Sequence, residues 1–506
     1  MSFLRWLPLV TAASAAGLLH GQPVPIGDHK QVFLDETLIR EAHGIALHVN
    51  SPEKAGVVLS GTHTWEDGMI GGYGTVLEDQ GKYRMWYTAS PASHPKIDSV
   101  QSRLCYAEST DGLHWTKPNL GLYEWQGSKA NNIIQELTVE STDIMIDPRA
   151  APAERYKIVA RLHERSARWP TGTAPAGTGL YMMTSADGLR WTLHPTRVLP
   201  FDPDTLNMAL YDGDSGQYLA YVRTWNPERR VGVVVTSDLM KPWPYIAGVP
   251  APYPGIIAAP TRDIPEAFGR DEQDPDTMDF YTPAVVKYPG ADHAFLMFTS
   301  PYVHFPEPPV GRVPNEGTLD IDLAVSRDGR KFHRISREPY IGLGLEGGRE
   351  SRTQYMFIGL LVRPTDILQY YNGDDFTHGG YQAFAEIRHL GSIFATRQRL
   401  DGFVSLDAGA AGGQFATPPV VFSGQRLTLN LDAGGTGEIE VQLEDATGRP
   451  IPGYGFADSD PVIQNDLAAV ATWRRGHAEV GALAGQPVRL AFRLRLAKLY
   501  AFQFRH

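Results

Sequence analysis

The sequence predicts an all-β protein, a five-bladed β-propeller followed by a C-terminal β-sandwich. The first observation is a repeated motif, because Ser-x-Asp-Gly-x-x-Trp occurs at residues 109–115 and again at 185–191. The second is composition, since 51 glycines, 38 prolines and 10% aromatic residues suit many turns and strands better than helices. The third is the alternation of apolar and polar residues after about residue 401, which is typical of antiparallel strands with one buried face.

The repeated motif belongs to a longer unit that recurs along the chain. Each copy contains an apolar strand, a Gly or acidic turn, an aromatic-rich strand, a third strand and then the motif or a looser version of it. Five such units lie between about residues 61 and 400, although the fifth lacks the Asp-Gly turn. We therefore expect five four-stranded blades. The aromatic residue that ends each motif is predicted to pack between neighbouring blades, at positions Trp115, Trp191, Trp243 and Phe332.

The first 21 residues are predicted to be a secretory signal peptide. Arg5 is followed by an apolar run that ends at Leu19, and small and polar residues come next. The alternative, a membrane anchor, is disfavoured because the run is too short to span a bilayer comfortably. We therefore expect a secreted or periplasmic protein that has no membrane association once residues 1–21 are removed, with a propeller at 22–400 and a sandwich at 401–506.

Charge, cysteine content and missing motifs narrow the function classes. A formal net charge of −11 argues against nucleic acid as a partner. Cys105 is the only cysteine, so the chain has no intrachain disulfide, and its apolar neighbours predict a buried, inert thiol. The sequence has no phosphate-binding loop, dinucleotide fingerprint, nucleophile elbow or convincing metal-ligand spacing. We therefore predict no cofactor and no metal ion.

A carboxylate stands near the start of the innermost strand of every predicted unit. In a propeller these strand starts meet at one mouth of the central channel, so their side chains can converge on one pocket. Any single turn carboxylate is as readily a solvated residue or a strand cap, but all five units share the feature. The candidate catalytic residues are Glu66, Asp143 and Asp204, and the candidate substrate-binding residues are Asp67, Arg149, Asn207, Asp279, Glu350, Arg352 and His378.

Crowded carboxyl groups are what glycoside hydrolysis requires. One carboxyl must be protonated to donate to the leaving oxygen, and another must be ionised to attack or to activate water. Like charges in a confined mouth push the two pKa values apart. Four aromatic residues near the mouth could stack on sugar rings, although core packing explains each of them at least as well: Trp65, Tyr73, Tyr281 and Tyr355.

The five units, their Ser-x-Asp-Gly-x-x-Trp turns and the alternating C-terminal segment together resemble the arabinanase, levansucrase and invertase superfamily. The closest resemblance is to proteins with a glycosyl hydrolase family 32 N-terminal-type domain, and it covers residues 31–506. It implies three carboxylates at the inner-strand starts of the first three blades: a nucleophile or base, a transition-state stabiliser and a general acid. Matched by position, Glu66 or Asp67 is the first, Asp143 the second and Asp204 the third.

The sequence therefore predicts a secreted glycoside hydrolase that cleaves an oligo- or polysaccharide at the propeller mouth. Two alternatives stay open. One is a non-catalytic carbohydrate-binding propeller, and the other is a glycoside phosphorylase that uses Arg149, Arg223 and Arg352 to hold phosphate. Asp35 is expected on a strand that closes the ring of blades rather than in the site.

Overall fold

The chain is built almost entirely of β-strands in the computed structural model, which describes residues 22–90, 102–137, 142–162, 177–225, 228–244, 264–305, 316–379 and 391–506. The predicted signal peptide at residues 1–21 lies outside these ranges. The helices within them are single 3₁₀ turns at Glu36–Leu38, Pro152–Glu154 and Gly481–Leu483. None of these described helices is long and apolar enough to cross a membrane.

Three antiparallel sheets of four strands follow one another along the chain, and in each of them consecutive strands pair. Sheet I contains Met69–Asp79, Lys82–Ser90, Ser102–Ser109 and Ile133–Leu137. Sheet II contains Ile144–Ile146, Tyr156–Leu162, Gly179–Ser185 and Thr192–Leu199. Sheet III contains Met208–Asp212, Gln217–Trp225, Arg229–Thr236 and Glu266–Phe268.

Two further groups of strands, sheets IV and V, repeat this order. Sheet IV begins with Met278–Lys287 and Phe295–His304. Its third strand is in two parts, Gly317–Leu319 and Asp322–Ser326, and its fourth strand is His333–Arg334. Sheet V contains Thr353–Met356, Leu361–Val362, Asp366–Asp374, Ser392–Arg399 and Glu53–Leu59. Pairing between Leu319 and Thr353 joins the two groups into one ten-stranded sheet.

The repeated motif forms the turn between the third and fourth strands, as the sequence predicted. In sheet I the Ser109 hydroxyl accepts a hydrogen bond from the Gly112 amide at 2.9 Å, and the Asp111 carboxylate accepts from the next two amides at 2.8 Å. Residues 185–190 of sheet II repeat these three contacts at 2.9, 2.8 and 2.8 Å. Gly112 is required because its φ is +79° and a Cβ there would lie 2.6 Å from Leu368.

The tryptophan that ends each full motif lies between neighbouring sheets, again as predicted. Trp191 of sheet II is buried and packs in one apolar cluster with Trp86 of sheet I. Trp115 of sheet I is half-buried and meets Tyr370 of sheet V edge-on, with 5.6 Å between ring centroids. The motif is therefore part of the scaffold.

Two six-stranded sheets hold the C-terminal part of the chain. Sheet VI contains Val24–Gly27, Arg40–His43, Gly413–Ala416, Val420–Phe422, Glu438–Asp445 and Val488–Arg495. Sheet VII contains Gln31–Val32, Ile45–Val49, Val404–Ala408, Arg426–Asp432, Asn465–Val470 and Ala497–Arg505. A short ribbon pairs Ser459–Asp460 with Thr472–Trp473. Side chains from both sheets form one buried apolar cluster that includes Phe415, Phe492 and Phe502.

The N-terminal segment completes these two sheets, which differs from the predicted domain boundary. Val24–Gly27 pairs in parallel with Val420–Phe422, and Ile45–Val49 pairs antiparallel with Val404–Ala408. The predicted domain at residues 22–400 therefore starts too early, because its first strands find their partners in the C-terminal segment.

The strand that completes sheet V is also a different one from the strand that the sequence suggested. Asp35 was expected on a closing strand, but its carboxylate caps the turn Glu36–Leu38 and pairs with Arg327 at 3.2 Å. The completing strand is Glu53–Leu59, which runs antiparallel to Ser392–Arg399. This strand is largely exposed, and Glu53 and Lys54 at its start depart from the apolar pattern that marks a buried strand.

Candidate active site

Residues from sheets I to V meet close to the points where the first strands of these sheets begin. We call this group the central cluster; its members are Asp143, Asp204, Asp279, Arg161, Arg223, Arg229, His304, His378, Tyr73, Tyr281 and Tyr355.

Asp204 lies in a strained turn ahead of the first strand of sheet III. Its φ is +58° and that of Thr205 is +51°, a conformation that side chains other than glycine rarely adopt. The turn is held from inside, because the Asp202 carboxylate accepts from the Asp204 amide at 2.9 Å. The Asn207 amide group donates to the carbonyls of Asp204 and Thr205 at 2.9 and 3.0 Å. Asn207 therefore positions the turn that presents Asp204.

Arginine side chains keep the Asp204 carboxylate ionised. Arg223 is 1% exposed and donates to Asp204 Oδ2 at 2.6 Å, and Arg161 lies 3.6 Å from Oδ1. Burial alone would raise the pKa of Asp204, but the charges of Arg223 and Arg161 outweigh it and hold that pKa below its ordinary value. Asp204 is thus an ionised carboxylate in a mostly buried setting.

Asp279 of sheet IV is held in a similar way. Arg229 donates to its Oδ2 at 2.9 Å, and His304 Nε2 lies 3.3 Å from Oδ1. Burial opposes ionisation here too, yet His304 and Arg229 lower the pKa of Asp279 below its ordinary value. The cluster therefore contains two ionised carboxylates, each paired with an arginine.

Asp143 has the opposite electrostatic environment. Its side chain is buried directly ahead of Ile144, the first residue of sheet II, and its Oδ2 accepts from the Val159 amide at 3.1 Å. Its Oδ1 has no hydrogen-bond partner among the described residues. With no cation beside it in the part of the chain that the structure describes, burial raises the pKa of Asp143 well above its ordinary value and favours the protonated acid.

One strand of sheet I brings Asp143 and Asp204 to the same neighbourhood. The Tyr73 hydroxyl lies 2.8 Å from the Thr205 hydroxyl, next to Asp204. The Thr75 hydroxyl donates to the Thr142 carbonyl at 2.5 Å, next to Asp143. Tyr73 and Thr75 are two residues apart in Met69–Asp79. The residues next to Asp204 and Asp143 therefore contact one short stretch of sheet I.

Tyrosine rings pack around the charged groups. Tyr281 lies 5.8 Å from Tyr355 and 4.7 Å from His378 between ring centroids, and the Arg223 guanidinium lies 4.1 Å from the Tyr281 ring. The Tyr355 hydroxyl is 2.8 Å from His378 Nδ1. Burial and the charges of Arg229 and Arg223 lower the pKa of His378 to about 3, so this imidazole is neutral.

Glu66 lies outside the hydrogen-bonded contacts of the central cluster. Its carboxylate is 1% exposed and accepts from Lys117 at 2.7 Å and from the Tyr87 hydroxyl at 2.6 Å. Both partners are on or beside sheet I, and this buried ion pair closes the loop ahead of that sheet. Asp67 is exposed next to it.

Three more predicted residues are placed elsewhere. Arg149 donates to the Gly216 carbonyl at 3.4 Å, in the hairpin at the far end of sheet III from Asp204. Glu350 is held by Lys54 at 3.0 Å, and the partner of Arg352 is an exposed glutamate. Of the predicted residues, Asp143, Asp204, Asp279 and His378 are members of the central cluster, and Asn207 positions the turn that presents Asp204.

Two residues that sequence reasoning missed, Arg161 and His304, share one position in the repeat with Arg223, which was considered only as a phosphate ligand. All three stand within two residues of the end of the second strand of their sheets. Because the first two strands are antiparallel, the end of the second lies beside the start of the first. A charged residue that ends an apolar second strand was therefore the signal that could have identified them.

No protein family model matches the chain. Two curated Mycobacterium tuberculosis proteins share 27% identity with it over 97 residues: "Uncharacterized protein Rv1502" from strain ATCC 25618 / H37Rv and "Uncharacterized protein MT1551" from strain CDC 1551 / Oshkosh. Each match covers 19% of this chain and 32% of the relative. The chain thus spans about a third of the length of the curated relatives it matches.

Several solved structures are similar in outline. An N-acetylgalactosamine deacetylase from F. plautii has a TM-score of 0.44 at 12% identity, covering 71% of this chain and 96% of its own. A protein described as "Glycoside hydrolase" has a TM-score of 0.43 at 13% identity, covering 69% and 92%. A member of the GH130 family, which contains mannoside phosphorylases and glycoside hydrolases, has a TM-score of 0.41 at 15% identity, covering 72% and 96%. At these scores the function has to be argued from the site itself.

Proposed function

We propose that this protein is a glycoside hydrolase whose reaction takes place at the central cluster. The observation that carries the proposal is the opposite electrostatic environment of two carboxyl groups. Burial raises the pKa of Asp143, whereas, against the effect of burial, Arg223 and Arg161 lower the pKa of Asp204. Two carboxyls with pKa values pushed apart are what a general acid and its ionised partner require.

In the proposed reaction Asp143 gives its proton to the glycosidic oxygen as the bond from that oxygen to the anomeric carbon breaks. Water adds to the anomeric carbon and passes one of its protons to Asp204. The products are a sugar with a new hydroxyl group and a sugar with a free anomeric centre. Asp143 is left ionised and Asp204 protonated, and proton exchange with solvent restores both.

These roles differ from those implied by the family resemblance, which made Glu66 or Asp67 the base or nucleophile, Asp143 the stabiliser and Asp204 the acid. The ion pair between Glu66 and Lys117 supports a structural role for Glu66 instead. Asp279 and the neutral His378 are proposed to bind sugar hydroxyls, since one offers an ionised acceptor and the other an imidazole.

We further propose that sheets I–V are five blades of one propeller and that sheets VI and VII form the predicted sandwich. Two facts support the first part: sheets I–V repeat one strand order, and residues at the same end of these sheets form one cluster. The apolar cluster shared by sheets VI and VII supports the second.

The contacts of the arginines favour hydrolysis over phosphorolysis. A phosphorylase needs cations that can hold phosphate, but Arg161 makes a two-point contact with Asp202 at 2.6 and 2.9 Å. Arg223 contacts Asp204 and the Tyr281 carbonyl, and Arg229 contacts Asp279. Each of these guanidinium groups already serves a carboxylate of the site.

A library of neutral oligo- and polysaccharides, incubated with and without inorganic phosphate, tests the proposal. We expect reducing sugar to be released without phosphate, and at least about 100-fold more slowly by Asp143→Asn and Asp204→Asn. Asp276→Asn, a change at a 96% exposed aspartate, is the matched control and should keep full activity.

Other outcomes of this screen separate the alternatives. Release only with phosphate identifies a phosphorylase, and binding without release identifies a carbohydrate-binding propeller. Full activity in both site variants places the chemistry at residues other than Asp143 and Asp204.

Export remains part of the proposal, because residues 1–21 have the composition of a signal peptide. N-terminal sequencing of protein recovered outside the cytoplasm should give a chain that starts at about residue 22. An N-terminus at Met1 would contradict it.

A further inference from the structure

A hollow that contains no member of the central cluster opens on the outer face of sheet VI. Its volume is about 410 Å³, which is within the range of small-molecule binding sites. It is lined by the ends of four strands and the loop before Gly413–Ala416. We call it the sheet VI hollow; the residues that matter below are His43, Gln414, Glu438, Glu440, Arg493 and Arg495.

Polar side chains cross the floor of the sheet VI hollow in one row. His43 stands opposite Gln414, Gln414 opposite Arg493, and Arg493 opposite Glu440, on four adjacent strands. Neighbouring strands lie about 4.8 Å apart, so the row offers an imidazole, an amide, a guanidinium and a carboxylate at regular intervals. The row thus offers both donors and acceptors, because the imidazole and the amide provide each kind, the guanidinium donates and the carboxylate accepts, which suits a ligand that carries several hydroxyl groups.

One wall of the sheet VI hollow is bare backbone. Gly44 faces Gly412, and a Cβ at Gly44 would lie 2.6 Å from the Gly412 carbonyl oxygen. Gly44 also has φ +64° and Gly412 has φ +74°, so side chains are disfavoured at both positions. The turn after Arg40–His43 and the loop before Gly413–Ala416 therefore pack closely together, and their backbones form this wall of the hollow.

The charges of the sheet VI hollow nearly cancel. Arg495 pairs with Glu438 at 3.0 Å, and Arg493 lies across from Glu440. The Arg493 guanidinium is also held flat, 3.9 Å from the Phe456 ring. A balanced and preorganised set of hydrogen-bonding groups favours a neutral polyhydroxyl ligand over an anion.

The two terminal sheets differ in what covers their outer faces. Sheet VII faces the remaining sheets, because the Asn430 amide donates to Asp401 at 2.9 Å and Arg399 of sheet V donates to the Leu431 carbonyl at 3.0 Å. In sheet VI, Gln414 and Arg493 are exposed. We propose that the sheet VI hollow is a second carbohydrate site, which binds a neutral oligosaccharide or polysaccharide chain. The proposal rests on the proposed function only for the choice of a glycan as ligand.

Affinity electrophoresis of the full chain through gels that contain arabinan, arabinoxylan, mannan or inulin tests this site. All proteins carry Asp204→Asn, so that the glycan is not consumed. We expect at least one neutral polysaccharide to retard the protein, and Arg493→Ala and Gln414→Ala each to weaken that retention about tenfold, the cost of a hydrogen bond to a charged group. Arg426→Ala, which removes an exposed, ion-paired arginine from sheet VII, is the matched control.

A further gel contains the anionic polymer polygalacturonate. Three results would overturn the second site: no retardation by any neutral polysaccharide, equal retardation of the sheet VI variants and the control, or retardation by polygalacturonate alone. Thermal melting of each variant shows that it is folded, and Gln414→Ala removes an exposed amide with little effect on the core.

The proposed hydrolase is tested separately, in the protein with Asp204 intact. Loss of retention by Arg493→Ala, together with no glycan hydrolysis by the protein with Asp204 intact, would support the hollow while contradicting the proposed hydrolase.

Discussion

Sheets I–V and sheets VI–VII bury very different side chains. In the first group Arg223 is 1% exposed and Asp143 is 4% exposed, both next to the first strands of their sheets. In the second group the shared core is built by regular alternation, as in Leu427, Leu429 and Leu431, each fully buried. Burying a charged group costs free energy. The chain accepts this cost in the central cluster, where the proposed chemistry needs charged groups.

The same contrast applies to how each region is completed. Sheet V gains its last strand from Glu53–Leu59, a single addition at one edge. Sheets VI and VII instead contain N-terminal strands paired with Val404–Ala408, Gly413–Ala416 and Val420–Phe422. The terminal sheets therefore depend on the N-terminal segment much more than sheets I–V do.

The largest expected effect comes from removing that segment. Deleting residues 22–52 takes strands from both terminal sheets and leaves the backbone groups of their partners unpaired. We expect residues 401–506 to lose their folded structure, which limited proteolysis with mass spectrometry would show as rapid digestion of this part. Deleting only His506 is the control, and resistance of residues 401–506 in the larger deletion would contradict the interdependence.

The next effect concerns pH and sheet V. Burial raises the pKa of Asp374 to about 8 from an ordinary value of 3.8. The proton is therefore held more tightly in the folded state, so its stabilising contribution is complete below about pH 4 and is lost as pH rises through about 8. Urea unfolding between pH 4 and pH 9 should show stability falling with pH, and Asp374→Asn should flatten that fall. An unchanged slope in the variant would assign the pH dependence to other groups.

Two tryptophans of the repeated turn test the packing between sheets. Trp191→Ala should lower the free energy of unfolding by about 3–5 kcal/mol, because a buried large aromatic side chain is removed. Trp115→Ala should cost less, since Trp115 is only half-buried. Urea denaturation measures both, and glycan binding by the folded variants should stay unchanged. Equal costs would contradict the argument from burial, and lost binding at full stability would contradict the scaffold role.

The smallest effect is expected at the junction of the two regions. Asp35 and Arg327 form a partly exposed ion pair at 3.2 Å, and the side chains of both are 21% exposed. Against burial, Arg327 lowers the pKa of Asp35, so Asp35→Asn should cost about 1 kcal/mol or less at pH 7, and this cost should shrink as the pH falls below the ordinary value of 3.8. Thermal unfolding at neutral and at acidic pH would show the smaller cost in acid, and an equal cost at both would point to lost packing.

The sequence predicted local structure well and long-range pairing poorly. The Ser109–Trp115 turn was predictable because its hydrogen bonds join residues within six positions of each other. The assignment of Val24–Gly27 failed because its partner strand begins at Val420 and no local pattern specifies that pairing. Register between strands that are neighbours only in the fold has to be seen in the structure.

The candidate site shows the same limit. Asp143, Asp204 and Asp279 could be proposed because each stands at the start of a predicted inner strand. Glu66 had the same signal, but Lys117 neutralises it from a loop that the sequence did not connect with it. Which carboxylate meets a lysine and which meets an arginine of the cluster is decided by tertiary contacts, so position in the repeat cannot assign roles.

The pairing of the first strands with the last has a consequence for synthesis. Ile45–Val49 leaves the ribosome long before its partner Val404–Ala408, and at roughly 5–20 residues per second the interval is on the order of 20–70 s. During that time sheets I–IV can form from neighbouring strands, while the N-terminal strands keep unpaired edges that other chains could occupy. We therefore expect that residues 22–52 of the nascent chain have to be kept from pairing with other chains until translation has ended.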